Sequence, residues 1–147
     1  MCMYIPTDQP LEFHRNWFKP LTVYKIFKPV SGNVARSPFL NKMYNLGETY
    51  RNNMQSVYDI KLRTPPLDTS YQIYMGFHSC ATLDDANEYL YTLQNGFTHS
   101  RALSRSLRIY ECKIPMFSKF MLGFERPLGQ KSRHVVSNAI TVIKRVD

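Results

Sequence analysis

The sequence predicts an α+β domain, and three observations carry that prediction. A well-capped amphipathic helix occupies the middle of the chain, over residues 83–94. Compact β-branched and aromatic runs lie before it, at 21–27 and 71–78, and after it, at 107–114 and 139–146. Strands first, one long helix, then strands is the order of an α+β fold. A length of 147 residues suits one domain, and 44% hydrophobic residues supply its core.

In chain order, residues 1–20 mix proline (Pro6, Pro10, Pro20) with aromatics (Phe13, Trp17, Phe18). Proline opposes regular helix while aromatic rings favour burial, so this segment reads as an extended N-terminal arm. It packs either on its own domain or on a neighbouring subunit. The domain proper is residues 21–147. Residues 21–27 (LTVYKIF) form its first strand. Side chains alternate along a strand, so only one of Tyr24 and Lys25 faces any cleft; the plain reading is one core and one solvent position. A loop with Pro29, Gly32 and Pro38 follows, then residues 39–50, punctuated by Gly47. Residues 51–70 have weak periodicity and a Pro65-Pro66 pair, the pattern of a surface excursion. A strand over 71–78 leads to the helix.

Thr82 is placed to cap that helix, with Asp85 three residues on, and Asp84 and Asp85 complement its N-terminal dipole. Leu83, Ala86, Leu90 and Leu93 recur on one face, and Asn95-Gly96 supplies the stop. Arg101, Arg105 and Arg108 follow at helical spacing. Pro115 ends the strand over 107–114, residues 123–134 read as a basic loop containing Lys131, Arg133 and His134, and residues 139–146 form the last strand.

Nineteen Lys and Arg against 11 Asp and Glu give a net charge of +8, which points to an acidic partner: a protein surface or nucleic acid. The Arg101/Arg105/Arg108 stripe and the Lys131/Arg133 loop are the basic patch for either. No apolar run approaches the ~20 residues of a membrane span. The first residues lack a basic start followed by an apolar stretch, so secretion is not expected. Cys2, Cys80 and Cys112 have no metal-type spacing and suit reduced thiols in a reducing compartment.

Chemical motifs are sparse. Gly-x-Ser-x-Gly, the P-loop and the dinucleotide-binding glycine turn are absent from the sequence. His14, His78, His99 and His134 are dispersed, so no metal site is expected. His78 and Cys80 share one strand face, where a buried thiol beside an imidazole is the plain reading. Glu111 and Glu125 have no recognisable partner and read as solvated carboxylates.

The segment Gly76-Phe77-His78-Ser79-Cys80, followed by Ala86 and Tyr89, resembles the strand–turn–helix unit of diphtheria-toxin-type ADP-ribosyltransferases, including the poly(ADP-ribose) polymerases. His78 stands where that family has its nicotinamide-stacking tyrosine. Residues 109–120 resemble the strand that runs into a tyrosine-bearing turn, and 138–146 the late strand that opens with the catalytic glutamate. The resemblance spans roughly residues 21–146 and implies a bent, split antiparallel sheet with one main helix. It also implies a groove bordered by Tyr24, Lys25, Gly76, Phe77, His78 and Ser79. Val23-Tyr24-Lys25 stands in place of the family's His-Gly pair, and Asn138 (or Ser137 in another register) in place of the glutamate. An amide can hydrogen-bond but cannot supply the negative charge of that glutamate.

A second pattern resembles small uncharacterised proteins of bacteriophages and large DNA viruses. It comprises Tyr24-Lys25-Ile26-Phe27, Ser37-Pro38-Phe39, Tyr44-Asn45-Leu46-Gly47, Tyr50, Gly76 to Ser79, Leu83 to Ala86, Cys112 to Pro115 and Ser137-Asn138. Together the two resemblances imply a virus-encoded accessory or virion protein, in the virion or host cytoplasm. It would use an inactive ADP-ribosyltransferase-like domain as a scaffold, bind no cofactor, and dock its arm on another chain. The alternatives are a divergent ADP-ribosyltransferase using NAD through Tyr24, His78 and Asn138, and a basic nucleic-acid-binding protein.

Overall fold

A computed structural model describes residues 3–6, 12–38, 41–52, 60–62, 70–73, 76–95, 105–124 and 132–146. Among them are one long helix and thirteen strands in a single antiparallel array, so the chain is α+β. The strands are β1 Met3–Pro6, β2 His14–Arg15, β3 Leu21–Ser31, β4 Val34–Arg36, β5 Met43–Asn45, β6 Thr49–Arg51 and β7 Ile60–Leu62. They continue as β8 Ser70–Ile73, β9 Phe77–Cys80, β10 Arg108–Ile114, β11 Lys119–Phe124, β12 Arg133–Ser137 and β13 Ala139–Arg145; the helix α1 is Leu83–Asn95.

The sheet runs β6-β13-β10-β3-β9-β12-β11-β1-β8-β7, with β4 and β5 continuing from β3 and β2 lying on β11. Its middle is thin. β3 and β10 pair along their whole overlap, from Arg108↔Phe27 to Ile114↔Leu21. Likewise β9 and β12 pair over four positions. Between β3 and β9 the register holds one pair, Tyr24↔Cys80. The array is therefore two ladders joined at a point, and it folds over on that joint. Val23, Phe27 and Ile140 of one ladder share a core with Phe77 and Val135 of the other.

On the opposite face, α1 lays Ala86 and Tyr89 on Ile26, Cys80 and Ile109. Alternation along β3 thus feeds two cores at once: Val23, Lys25 and Phe27 point one way, Tyr24 and Ile26 the other. With both faces covered, neither Tyr24 nor Lys25 is a solvent position. Lys25 is buried and Tyr24 half-buried.

The helix starts as its sequence dictates. The Asp85 N–H donates to Thr82 Oγ1 at 3.1 Å, and the Thr82 hydroxyl donates to Asp85 Oδ2 at 2.6 Å. Asp85 also accepts the Arg133 N–H at 3.0 Å and faces the Arg133 guanidinium at 3.4 Å. The Thr82 hydroxyl therefore caps the helix, and the buried Asp85 carboxylate holds that hydroxyl and ties the helix to β12.

Three segments differ from the sequence reading. The expected strand over 71–78 is two strands with different neighbours, β8 on β1 and β7, β9 on β12 and β3. Gly76, at φ 97°, takes the left-handed turn just before β9, a conformation open to glycine. The basic stretch after residue 122 is partly sheet: Gly123 and Phe124 close β11, and Arg133 and His134 open β12. Residues 125–131 lie outside the described set. In the arm, β1 pairs with β8 and β11, and β2 with β11, all within this chain.

Met3 and Ile5 of β1 are buried against Met121 and Val136. Gly123 allows that approach, because a Cβ there would lie 2.5 Å from Tyr4 O and 2.7 Å from Met3 Cγ. Gly123→Ala is expected to destabilise the chain by about 2–3 kcal/mol through overpacking, measured by urea unfolding. Gly32→Ala is the comparison, since a Cβ at Gly32 meets nothing within 4 Å.

Candidate functional site

The thin joint between the ladders gathers the chemistry-bearing side chains of the sheet. Where the β3–β9 ladder lapses, the Lys25 ammonium donates to the backbone carbonyl of His78 and so replaces a missing strand-to-strand bond. Burial pushes the Lys25 amine down to about 8; the neighbouring Cys112 and Cys80 thiols work against that shift, and Lys42 adds to it.

Lys42 lies on the same side as Lys25. Its Nζ stands 5.3 Å from the Tyr44 ring centre, 5.4 Å from Tyr50 and 5.2 Å from Phe77, with the rings as its electrostatic partners. Burial also raises the Tyr44 hydroxyl and the Cys112 thiol to about 12, so both stay neutral.

The helix-side face carries a second cluster. Tyr24 pairs with Cys80, and Cys80 with His134, so the three occupy one row across β3, β9 and β12. Cys80 Sγ lies 3.6 Å from His134 Nε2, and the Tyr89 ring stands edge-on to the imidazole with centroids 5.0 Å apart. His134 Nδ1 has no hydrogen-bond partner among the described residues. Burial lowers His134 to about 4; Lys25 adds to that shift and Asp85 opposes it. The imidazole is therefore neutral, so the pair is not a thiolate–imidazolium couple. His134 is fully buried and Cys80 is 1% exposed. His134 was legible only as part of a basic loop, and only strand register reveals its pairing with Cys80.

The residues singled out from the sequence are embedded in the sheet. His78 and Ser79 are buried, and the Ser79 hydroxyl donates to Val135 O at 3.4 Å. Phe77 belongs to the core between the ladders. Asn138, at the turn from β12 to β13, fastens three strands. Its Oδ1 accepts the Lys119 N–H at 3.0 Å, its own N–H donates to Lys119 O at 3.0 Å, and its carbonyl accepts the Asn52 N–H at 2.9 Å. Register brings His78 opposite Val136, two positions before Asn138; His78 is buried and the Asn138 amide is bonded to the sheet itself.

Of the basic residues, Arg105 is exposed. Arg108 already belongs to β10, and its guanidinium donates to the Arg105 and Leu107 carbonyls at 2.8 Å each. Arg133 pairs with Asp85. Arg101 and Lys131 lie outside the described residues. Among the described residues no group of three or more His, Cys, Asp or Glu could hold a metal ion, and no helix is long and apolar enough to cross a membrane. Comparison with protein-family models, with curated proteins and with solved structures finds no match.

Two pH dependences follow. Lys25 binds its proton more weakly in the folded chain, about 8 against 10.5, so stability falls as pH drops from 10.5 to 8 and the full penalty, about 3 kcal/mol, applies below 8. Lys25→Met is expected to raise the unfolding free energy at pH 7 by about 1–2 kcal/mol after loss of the His78 carbonyl bond. The gain should vanish near pH 10.5 in paired denaturant titrations. His134 is likewise depressed, about 4 against 6.5, so its contribution is intact above 6.5 and lost as pH falls through 4. Its imidazole resonances are expected to stay in the neutral form until the pH approaches 4, as followed by NMR titration.

Proposed function

We propose that this chain is a non-catalytic binding scaffold on an ADP-ribosyltransferase-like sheet, in the role of a virus-encoded accessory or virion protein. One observation carries the reading: of the family's reactive positions, His78 is buried and Tyr24 packed in the sheet, and the Asn138 amide is bonded to the fold. His78 is buried at the joint that Lys25 bridges, and Asn138 clamps Lys119 to the β12–β13 turn. Tyr24 packs with the core beneath α1. A group-transfer site needs polar atoms turned toward a ligand and held there by a supporting shell. Here the Asn138 amide belongs to the supporting shell, and His78 and Tyr24 are packed into the sheet. Asn138 in the place of the glutamate is consistent with this, since a neutral amide provides little stabilisation for a developing positive charge.

The test is transfer of label from radiolabelled NAD to proteins of a cell lysate by the wild-type chain, by His78→Ala and by the milder Tyr24→Phe. No transfer above background is expected from any of the three. Label transfer by the wild type that either substitution abolishes would overturn the scaffold reading in favour of the NAD-dependent enzyme.

A further inference from the structure

We propose that the tip of the N-terminal arm, together with the turn between β10 and β11, is a docking surface for an acidic protein segment with an apolar anchor. The proposal rests on the scaffold reading and names the partner's chemistry.

Four large apolar side chains meet solvent here: Trp17 is 57% exposed, Phe18 92%, Met116 43% and Phe117 58%. They come from two stretches that the sheet holds side by side. His14 and Arg15 pair with Phe120 and Lys119. Beyond that pair, the Asn16 N–H donates to Ser118 O at 3.1 Å, the Phe117 N–H donates to Asn16 O, and Asn16 Nδ2 donates to Ile114 O at 3.2 Å. The backbone beneath the patch is therefore fixed before any partner arrives, which lowers the ordering cost of binding.

The rings are fixed as well. Trp17 and Phe117 stand edge to face, with centroids 6.2 Å apart and planes at 81°, and the Arg15 guanidinium lies 5.3 Å from the centre of the Trp17 ring. Phe117 sits at φ 65°, a conformation that bulky residues rarely adopt. The turn could be made by glycine or asparagine with less strain, so the strain is tied to presenting this ring. Exposed Trp, Phe, Met and Arg, clustered and rigid, are the composition of a binding hot spot.

Charge identifies the occupant. Residues 13–20 and 112–124, which build the surface, contain no Asp or Glu but carry Arg15, Lys19, Lys113 and Lys119. Lys113 is engaged with the Thr22 hydroxyl, which leaves Arg15, Lys19 and Lys119 as the other cations of these two stretches, Arg15 lying over Trp17. A segment bringing carboxylates to these cations and an aliphatic or aromatic side chain to Trp17 satisfies both features. Single-stranded nucleic acid stacks successive bases on ring faces, whereas Trp17 and Phe117 are perpendicular. A lipid surface would use the apolar and basic side chains without needing fixed rings or a strained backbone.

The experiment is selection of a random peptide phage library on the full chain, followed by affinity measurements on synthetic versions of the enriched peptides. Trp17→Ala and Phe117→Gly are compared with wild type. Enriched peptides are expected to join Asp or Glu to a large apolar residue and to weaken as salt rises. They should lose roughly tenfold or more in affinity with Trp17→Ala. Phe117→Gly should also lose affinity while its thermal midpoint rises, because glycine relieves the backbone; a merely structural Phe117 would not separate the two readouts.

Enrichment of basic or neutral sequences, or binding indifferent to Trp17→Ala, overturns the proposal. So does Trp17-dependent binding of oligothymidylate or of phosphatidylserine vesicles. Failure of the NAD test would remove the enzymatic silence of the sheet without touching these measurements. Failure of the peptide test with NAD transfer absent would remove the docking surface and leave the scaffold reading in place.

Discussion

The constraint around which the sheet is arranged is its thin middle, where the Lys25 ammonium donates to the His78 carbonyl. β3 and β9 share one register pair, Tyr24↔Cys80, and beyond it their ladder stops. A sheet that separates in its middle leaves carbonyls facing a core, and each unmet one costs on the order of 1–3 kcal/mol. A lysine can span the gap because its stem packs as hydrocarbon while its head donates. The expense is a desolvated charge, visible in the lowering of its amine to about 8. The bend that places Phe77 and Val135 against Val23 and Phe27 thus carries a cation where an apolar core would otherwise have none, at a net cost at neutral pH.

Two further ties keep the bent sheet in one arrangement. Asp85 accepts the Thr82 hydroxyl that caps α1 and also holds Arg133, so the helix cannot leave its face without disturbing its cap and freeing the β12 backbone. Gly123 admits β1 at a distance that any side chain would prevent. The arm therefore belongs to the sheet at both described ends, through β1 and through β2. Its solvent-facing portion, around Trp17, is a projection from a fixed base.

Legibility in the sequence followed the range of the deciding interaction. α1 was readable because its cap, apolar face and stop are local, and the structure places it over Leu83–Asn95 with the Thr82–Asp85 bonds formed. β3, β10 and β13 were readable because β-branched and aromatic residues dominate them. The strand over 71–78 was misread as continuous because nothing in Gly76 says which way its φ will turn. β12 was hidden because Arg133 and His134 have a loop's composition, and only pairing with β9 and β11 makes them strand. Lys25 was indistinguishable from a surface lysine, since its burial depends on α1 covering one face of β3 and the second ladder covering the other. At the candidate site, Tyr24, His78 and Asn138 could be named from the resemblance. That Lys25 takes the His78 carbonyl, and that Lys119 and Asn52 bond Asn138, could not, because those partners are remote in sequence.

Two features of this chain oppose its stability, and they differ in what they return to the fold. The buried Lys25 ammonium is compensated inside the sheet, where it satisfies a carbonyl that the bend would otherwise orphan. The left-handed Phe117 has no comparable internal return. Its ring is largely in solvent, and the aromatic neighbour it touches, Trp17, is exposed too. A residue retained for the turn alone would be glycine or asparagine, which reach positive φ with less strain. A residue retained for the core would be covered. Phe117 meets neither condition, so its strain is explained by an outward-facing role. The proposed docking role therefore rests on the basic aromatic projection, while His78, His134, Cys80 and Cys112 are buried within the sheet.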